Sequence, residues 1–530
     1  MKRRDFINSS LLLSATLAAT SKTRADTLAG ANFDLQETNL TEMQQALRAG
    51  EYQSIDLVKR YFSRIQEIDR EGPGLNSVIE RNPDAEAIAE KLDNERRQGH
   101  DLGPLHGIPI LIKDNIDTAD NMATTAGSMA MRGAKPLKDA TIVAKLRAAG
   151  AIILGKTNLS EWANFRSSRS ISGWSARGGL TRNPYALNRN TSGSSSGSGA
   201  AVAANLCAAA IGTETDGSIV SPSSINGIVG IKPTVGLVSR AGIIPISQTQ
   251  DTAGPMARSV ADAAILLGAL TGIDKEDPAT EASAGKLFTN YTKYLDANGL
   301  TGARIGVARK FFGFHPEVDK ICENALKLLK ERGAIIIDPA DADGMWKFGD
   351  AEMEVLLYEF KAGLNSYLSK LGANAPMRAL ADIIAFNEKN AGLEMPHFGQ
   401  EIFLRAEKKG LLTEKAYSLA REKCRLVARA QGIDAIMTKH KLDAIFAPTD
   451  CPAWKTDFVM GDHYLGGSST PAAVAGYPSI TVPAGYVSGL PIGVSFFGRA
   501  YSEPTLIKLA FAYESASNIR RPPDFRANVP

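Results

Sequence analysis

The sequence predicts an α/β fold, and three segments carry that prediction. Ile108-Pro109-Ile110-Leu111-Ile112 is an unbroken apolar run, the pattern of a strand covered on both faces. Residues 141–149 read as a helix stopped by Gly150, and residues 151–154 as the next buried strand. Strands that alternate with helices build a sheet with helices packed over it.

The other elements follow in chain order. After a polar stretch to about Phe33, a short helix carries Met43, Ala46 and Leu47 and stops at Gly50. A second helix, capped by Ser54, repeats Leu57, Val58, Tyr61, Phe62 and Ile65 at three- and four-residue spacing. Residues 75–80 form a strand and 84–98 an exposed, charged helix. The Gly/Ser-rich tract 191–199 has the composition of a linker. It runs directly into a small-residue helix, 200–209, and a short strand before Gly212, so a tight loop inside a domain is the better reading. From about Pro316 to Lys441 the texture changes to charged amphipathic helices, at 321–330, 351–371 and 414–439. Residues 444–447, 479–483 and 493–497 return to apolar strands. The middle is therefore a helical excursion from one α/β core.

With 530 residues, 44% of them hydrophobic, the chain can bury one large core or two of ordinary size. Sixty basic residues against 57 acidic give +3, too balanced for the electrostatic footprint of a nucleic-acid binder. Residues 1–25 combine Lys2-Arg3-Arg4-Asp5-Phe6-Ile7, an apolar stretch from Leu11 to Ala19 and the small residue of Thr23-Arg24-Ala25. That order describes an export signal, and the arginine pair followed by Phe6 is similar to a twin-arginine signal. A bacterial periplasmic or secreted protein, handled transiently by the twin-arginine machinery, is the expectation. Removal of residues 1–25 takes away five positive charges and one negative, which turns +3 into −1. No later stretch has the roughly 18 uninterrupted apolar residues of a membrane span, so no stable membrane anchor is expected. The remaining division is an N-terminal segment with its helices, 26–74, and a domain, 75–530, that contains the excursion at about 316–441.

Cys207, Cys322, Cys424 and Cys451 are too few to staple a chain of this length, and the sequence does not choose among their three pairings. The six histidines show no paired ligand spacing and no CxxC occurs, so no metal is expected.

Lys113 closes the first apolar run, serines cluster from Ser192 to Ser198, and Ser218 ends Gly212-Thr213-Glu214-Thr215-Asp216-Gly217-Ser218. Together they supply a base, a proton relay and a nucleophile for acyl transfer, with no cofactor required. Leu105-His106-Gly107-Ile108-Pro109-Ile110-Leu111-Ile112-Lys113-Asp114-Asn115, Gly193-Ser194-Ser195-Ser196-Gly197 and Gly217-Ser218-Ile219 occur in the order and spacing of the amidase signature family, which the chain resembles. Gly155-Lys156-Thr157-Asn158, Gly230-Ile231-Lys232-Pro233-Thr234, Gly254-Pro255-Met256-Ala257-Arg258-Ser259-Val260-Ala261-Asp262 and the Val482-Pro483-Ala484-Gly485 to Pro491-Ile492-Gly493 tail match as well.

The resemblance implies a single α/β domain with a central mixed, twisted sheet flanked by helices. It also implies a Ser-cisSer-Lys triad of Ser218 as nucleophile, Ser194 as relay and Lys113 as base. A lysine is a base only when neutral, so burial and hydrogen bonds to the free amine must lower its pKa. Asp114 works against this unless it points away. Ser195, one residue along, is the rival for the relay. The backbone N–H groups of Thr215, Asp216, Gly217 and Ser218 are expected to form a nest for the oxyanion.

Many family members have glycine where this chain has Ser196 and Asp216. The run from Thr213 to Ser218 is most similar to bacterial peptide amidases, which implies a peptide C-terminal amide or a small alkyl or aryl amide as substrate. Some relatives carry arginine two or three residues after the nucleophile, whereas Val220 and Ser221 stand here, which weakens a carboxylate anchor at that place.

Other landmarks read as structural first: Arg258 with Asp262 as a helix-face pair, Lys156 and Lys232 as loop-fixing, His106 as a turn residue. Asp450, Cys451 and Trp454 are candidates to line the pocket. Two other readings compete. Gly193-Ser194-Ser195-Ser196-Gly197 fits the GxSxG elbow of an esterase with Ser195 as nucleophile and His440 or His463 downstream. The other is a non-catalytic interaction protein, since the family includes the amidase component of the tRNA-dependent amidotransferase.

Overall fold

The computed structural model describes residues 35–341, 347–372 and 375–529. Its strands are β1 (Val78–Arg81), β2 (Pro109–Lys113), β3 (Ile152–Thr157), β4 (Trp174–Ser175), β5 (Gly179–Leu180), β6 (Ala209–Glu214), β7 (Val229–Lys232), β8 (Thr252–Ala257), β9 (Arg304–Val307), β10 (Ile335–Ile337), β11 (Ala444–Pro448), β12 (Ser479–Val487) and β13 (Leu490–Phe497). Eleven of them form one sheet in the order β1-β3-β2-β6-β8-β7-β12-β13-β11-β9-β10, and β4 pairs with β5 apart from it.

The sheet is mixed. β2 runs parallel to both β3 and β6, and β9 parallel to β10 and β11. The pairs from β6 through β8, β7, β12 and β13 to β11 are antiparallel. Every residue of β2, β3, β6, β7 and β8 is buried, which explains why β2 and the start of β3 read as apolar runs with no alternation. Parallel β2 and β6 end side by side, so Lys113 and the turn after Glu214 open at the same edge of the sheet.

Several boundaries differ from the sequence pattern for physical reasons. Ser54 is the first residue of its helix and not the cap, because Asp93 accepts its N–H and Asp56 reaches back to the N–H of Gln53. The helix expected at 200–209 spans Ser196–Ala203, so the tract that reads as a loop already contains its first turn. All eight of its residues are buried, and tertiary packing overrides the poor helix propensity of serine and glycine there. The helix expected at 414–439 is three pieces: Lys415–Arg425, wide turns over Leu426–Ile433 with Gly432 outside helical geometry, and Asp434–His440. Helix Pro316–Glu331, which reads from its charge as part of the excursion, connects the parallel strands β9 and β10. The first long excursion helix, Ala351–Lys370, buries Leu356, Leu357, Phe360, Leu364 and Leu368 against Trp162, Phe165, Ile244 and Ile246.

Candidate active site

Lys113 is the last residue of β2 and is fully buried. Its Nζ lies 2.7 Å from Ser194 Oγ, 2.9 Å from Thr213 Oγ1 and 3.2 Å from the Thr213 carbonyl. Thr213 sits near the end of β6, and Asn115 donates to its Oγ1 as well at 3.0 Å. A neutral amine has two N–H donors and one lone pair. Thr213 can take both donors, which leaves the lone pair for the Ser194 hydroxyl.

Burial is the main cause that brings the Lys113 pKa down to about 7, and the charges of Glu214 and Asp251 oppose it. Asp114 takes no part in this. Its carboxylate turns away to Thr125, at a short hydrogen bond, and to Arg177 at 3.2 Å.

Ser194 follows a cis peptide bond from Gly193 and is fully buried. Ser195 faces elsewhere: its Oγ donates to the Thr213 carbonyl at 3.1 Å and accepts the Thr213 N–H at 3.2 Å. The Ser195 hydroxyl is therefore a brace between the loop and β6. His463 bonds to Asp457 at the exposed surface, and His440 ends the helix Asp434–His440 with its carbonyl held by Arg304. Neither histidine bonds to Ser195.

Ser218 lies in the turn between β6 and the helix Val220–Ile225, and its carbonyl accepts the N–H of Ser195 at 3.2 Å. The N–H groups of Thr215, Asp216, Gly217 and Ser218 have no acceptor among the described residues. Gly217 has φ +79°, the left-handed conformation that lets successive N–H groups converge on one point. Glu214 shapes this turn by accepting the N–H groups of Ile219 and Val220 at 2.7 and 3.0 Å. A carboxylate at the start of a helix satisfies donors that otherwise have no partner.

The turn is also held from outside. Asp216 accepts Ser469 Oγ at 2.5 Å and Thr470 Oγ1 at 2.7 Å. Thr215 donates to Asp251 at 2.6 Å. Ser221 is linked to Ser192 at 2.6 Å and to Asp450 by a short bond, so Asp450 joins the surroundings of the turn. Cys451 is buried, and Trp454 donates to Asp462 at 3.1 Å.

The remaining landmarks are structural. His106 bridges Leu92 and Leu102, Lys156 reaches the Ile116 carbonyl and Thr124, and Lys232 reaches the carbonyls of Pro233 and Tyr477. Arg258 ties the carbonyls of Cys207 and Thr38. All four cysteines are buried and unpaired. Thr213, Asn115, Glu214, Gln250 and Glu352 form contacts that sequence reading did not assign. Thr213 and Glu214 belong to the motif tract that ends at Ser218, whereas nothing local marks Gln250 or Glu352.

Comparison with known proteins agrees with this geometry. Residues 56–507 match the family model described as amidase. A protein of Arabidopsis thaliana named as an amidase is 42% identical, over 98% of this chain and 97% of its own. A glutamyl-tRNA(Gln) amidotransferase component of Chloroflexus aurantiacus is 34% identical over 91% and 97%. Among solved structures, the peptide amidase of Stenotrophomonas maltophilia is 52% identical, with a TM-score of 0.89 over 93% of this chain and 99% of that one.

One expectation is corrected by these relatives. Amidase-named proteins of Arabidopsis thaliana, Schizosaccharomyces pombe and Arthroderma benhamiae match at 42%, 38% and 39% identity, so a bacterial, twin-arginine-exported periplasmic protein no longer follows. The stretch read as an export signal, residues 1–25, lies outside the described residues. The fold, the family match along residues 56–507 and the relatives at 34–52% identity place this chain in the amidase family, as a serine amidase that hydrolyses amide C–N bonds.

Proposed function

We propose that the enzyme hydrolyses peptide C-terminal amides, or small alkyl and aryl carboxamides, to carboxylate and ammonia through an acyl-enzyme on Ser218. The observation that carries this reading is the buried Lys113 amine 2.7 Å from Ser194 Oγ, at the edge where the turn 215–218 has N–H groups with no acceptor among the described residues.

Ser218 Oγ attacks the amide carbon and gives its proton to Ser194, as Ser194 passes its own to neutral Lys113. The carbonyl oxygen becomes an oxyanion held by the N–H groups of Thr215, Asp216, Gly217 and Ser218, each such donor being worth about 3 kcal/mol in the transition state. The C–N bond then breaks while the proton returns from Lys113 through Ser194 to the leaving nitrogen, and ammonia departs. Water attacks the ester carbon, its proton enters the same relay, and Ser218 leaves with that proton restored.

A peptide substrate is favoured by the likeness to the Stenotrophomonas maltophilia peptide amidase. Phe458, Val459, Met460, Tyr464 and Leu465 are exposed in one segment, and Tyr464 stands near the charges of Asp450 and Asp216. The aromatic ring of Tyr464 there suits a peptide side chain better than a bare short amide. No cofactor, nucleic acid, partner protein or membrane anchor is needed by this chemistry.

The test is ammonia release by purified protein from a panel of peptide amides and simple carboxamides, beside Ser218→Ala. Release by the parent protein, lower in the variant by a factor on the order of 10⁴ or more, is the expected result. Release that survives the substitution sinks the assignment.

A further inference from the structure

The oxyanion-hole turn is gripped by the helical excursion, and the grip passes through two side chains. Gln250 Nε2 donates to the Thr215 carbonyl at 3.3 Å and to Glu352 Oε1 at 3.0 Å. Glu352 lies in the first turn of the excursion helix Ala351–Lys370, and a side-chain hydrogen bond joins it to Asp216. Asp216 already accepts two hydroxyls, Ser469 on one oxygen and Thr470 on the other, as an ionised carboxylate does. Two adjacent, partly buried carboxylates repel, so the pair holds one proton. That proton belongs on Glu352, which donates to Asp216 while its other oxygen accepts Gln250.

We propose that Glu352 and Gln250 are positioning residues that tie the first excursion helix to the turn 215–218 and hold its N–H groups on the oxyanion. The inference rests on the assignment of that turn as the oxyanion hole. Neither residue touches the reacting atoms; each acts through Thr215 or Asp216.

Burial, and then the Asp216 charge, raise the Glu352 pKa, and burial raises that of Asp216. Other titratable groups face the pair. Cys424 approaches Glu352 from the helix Lys415–Arg425, Lys232 from β7 and Glu214 from β6 stand near Asp216, and Tyr464 faces Asp216 from the apolar segment. Lys232 attracts the Asp216 charge and is held by carbonyls, so it does not supply the missing proton to Glu352. Loss of the Glu352 proton at alkaline pH puts two carboxylates side by side and loosens the turn.

Glu352→Gln keeps the same shape, with an amide N–H for Asp216 and an oxygen for Gln250, and has no proton to lose. Glu352→Ala removes the tie. Steady-state kinetics on a peptide amide, with the thermal unfolding midpoint of each variant, test the proposal. Glu352→Ala lowers kcat by about 10- to 100-fold with little change in KM, the scale of an ångström-level misplacement. Glu352→Gln recovers most of kcat and extends activity to higher pH, and Gln250→Leu lowers kcat in the same sense as Glu352→Ala. The proposal is overturned by a Glu352→Ala variant with the parent kcat, by an effect confined to KM, or by Glu352→Gln falling as far as Glu352→Ala with the parent midpoint. Ser218→Ala, run in parallel, separates the two levels. Activity in that variant removes the underlying assignment, whereas an inactive Ser218→Ala beside a fully active Glu352→Ala removes only the tie.

Discussion

Among single residues, Lys113, the base of the proposed mechanism, must be buried, uncharged and correctly partnered at once. The strand β2 buries it, Thr213 takes its donors, and Asp114 turns to Arg177, so that burial outweighs the charges of Glu214 and Asp251, which favour the charged form. The sign of the pH dependence follows. Below about 7 the amine is protonated and cannot take the relay proton; above it the amine is free. Activity, measured as kcat/KM against pH, therefore rises through about pH 7 from the acid side. A flat profile across that pH would contradict a neutral-lysine base. Ser194 and Ser195 illustrate how adjacent serines diverge. One faces the lysine at 2.7 Å, the other is used up on both backbone groups of Thr213, and only packing distinguishes them.

Among the elements, the helix Ser196–Ala203 begins on serine and glycine, which are poor helix formers, and yet fixes the Ser194 loop against β3 and β6. Gly197 shows why small residues occur there. A methyl group at that position would come within 2.5 to 2.7 Å of the backbone of Asn158, and closer still to the Ser77 carbonyl, and these lie at the ends of β3 and β1. Gly197→Ala is thus expected to destabilise the protein by about 3 kcal/mol or more, the upper range for overpacking, as read from chemical unfolding. Parent-like stability would mean that the helix start is not packed against β3. The same logic explains which elements are legible in the sequence. Strands β2 and β3 and the helices Leu40–Ala49 and Ala85–Arg97 announce themselves by apolar runs or periodicity. The start of Ser196–Ala203, the break at Gly432 and the cap at Gln53 depend on distant partners, and local pattern does not report those.

Across the whole molecule, one eleven-stranded sheet brings together segments far apart in sequence: β2, β6, the turn after it, and the segment 449–470 that supplies Asp450, Ser469 and Thr470. The motif residues are legible because each sits at a strand end or a tight turn, where glycine and serine stand out from apolar surroundings. Gln250 and Glu352 are not, since neither belongs to a local motif and each looks like a surface residue until the fold sets them beside Thr215 and Asp216. The middle region is half legible: its charge marks helices, but the parallel pairing of β9 with β10 depends on neighbours that the helices do not reveal.

The nucleophile itself can be read directly, because in the proposed mechanism Ser218 carries the acyl group during turnover. A slowly deacylated aryl amide or ester is mixed with the enzyme, quenched in acid during turnover and digested after glutamate. Cleavage at Glu214 separates Ser194 and Ser195 from Ser218, so the mass of the fragment that begins at Thr215 reports the nucleophile. The acyl mass is expected on that fragment and is expected to be absent from Ser218→Ala; acyl mass on the fragment that holds Ser194 and Ser195 would contradict a Ser218 nucleophile.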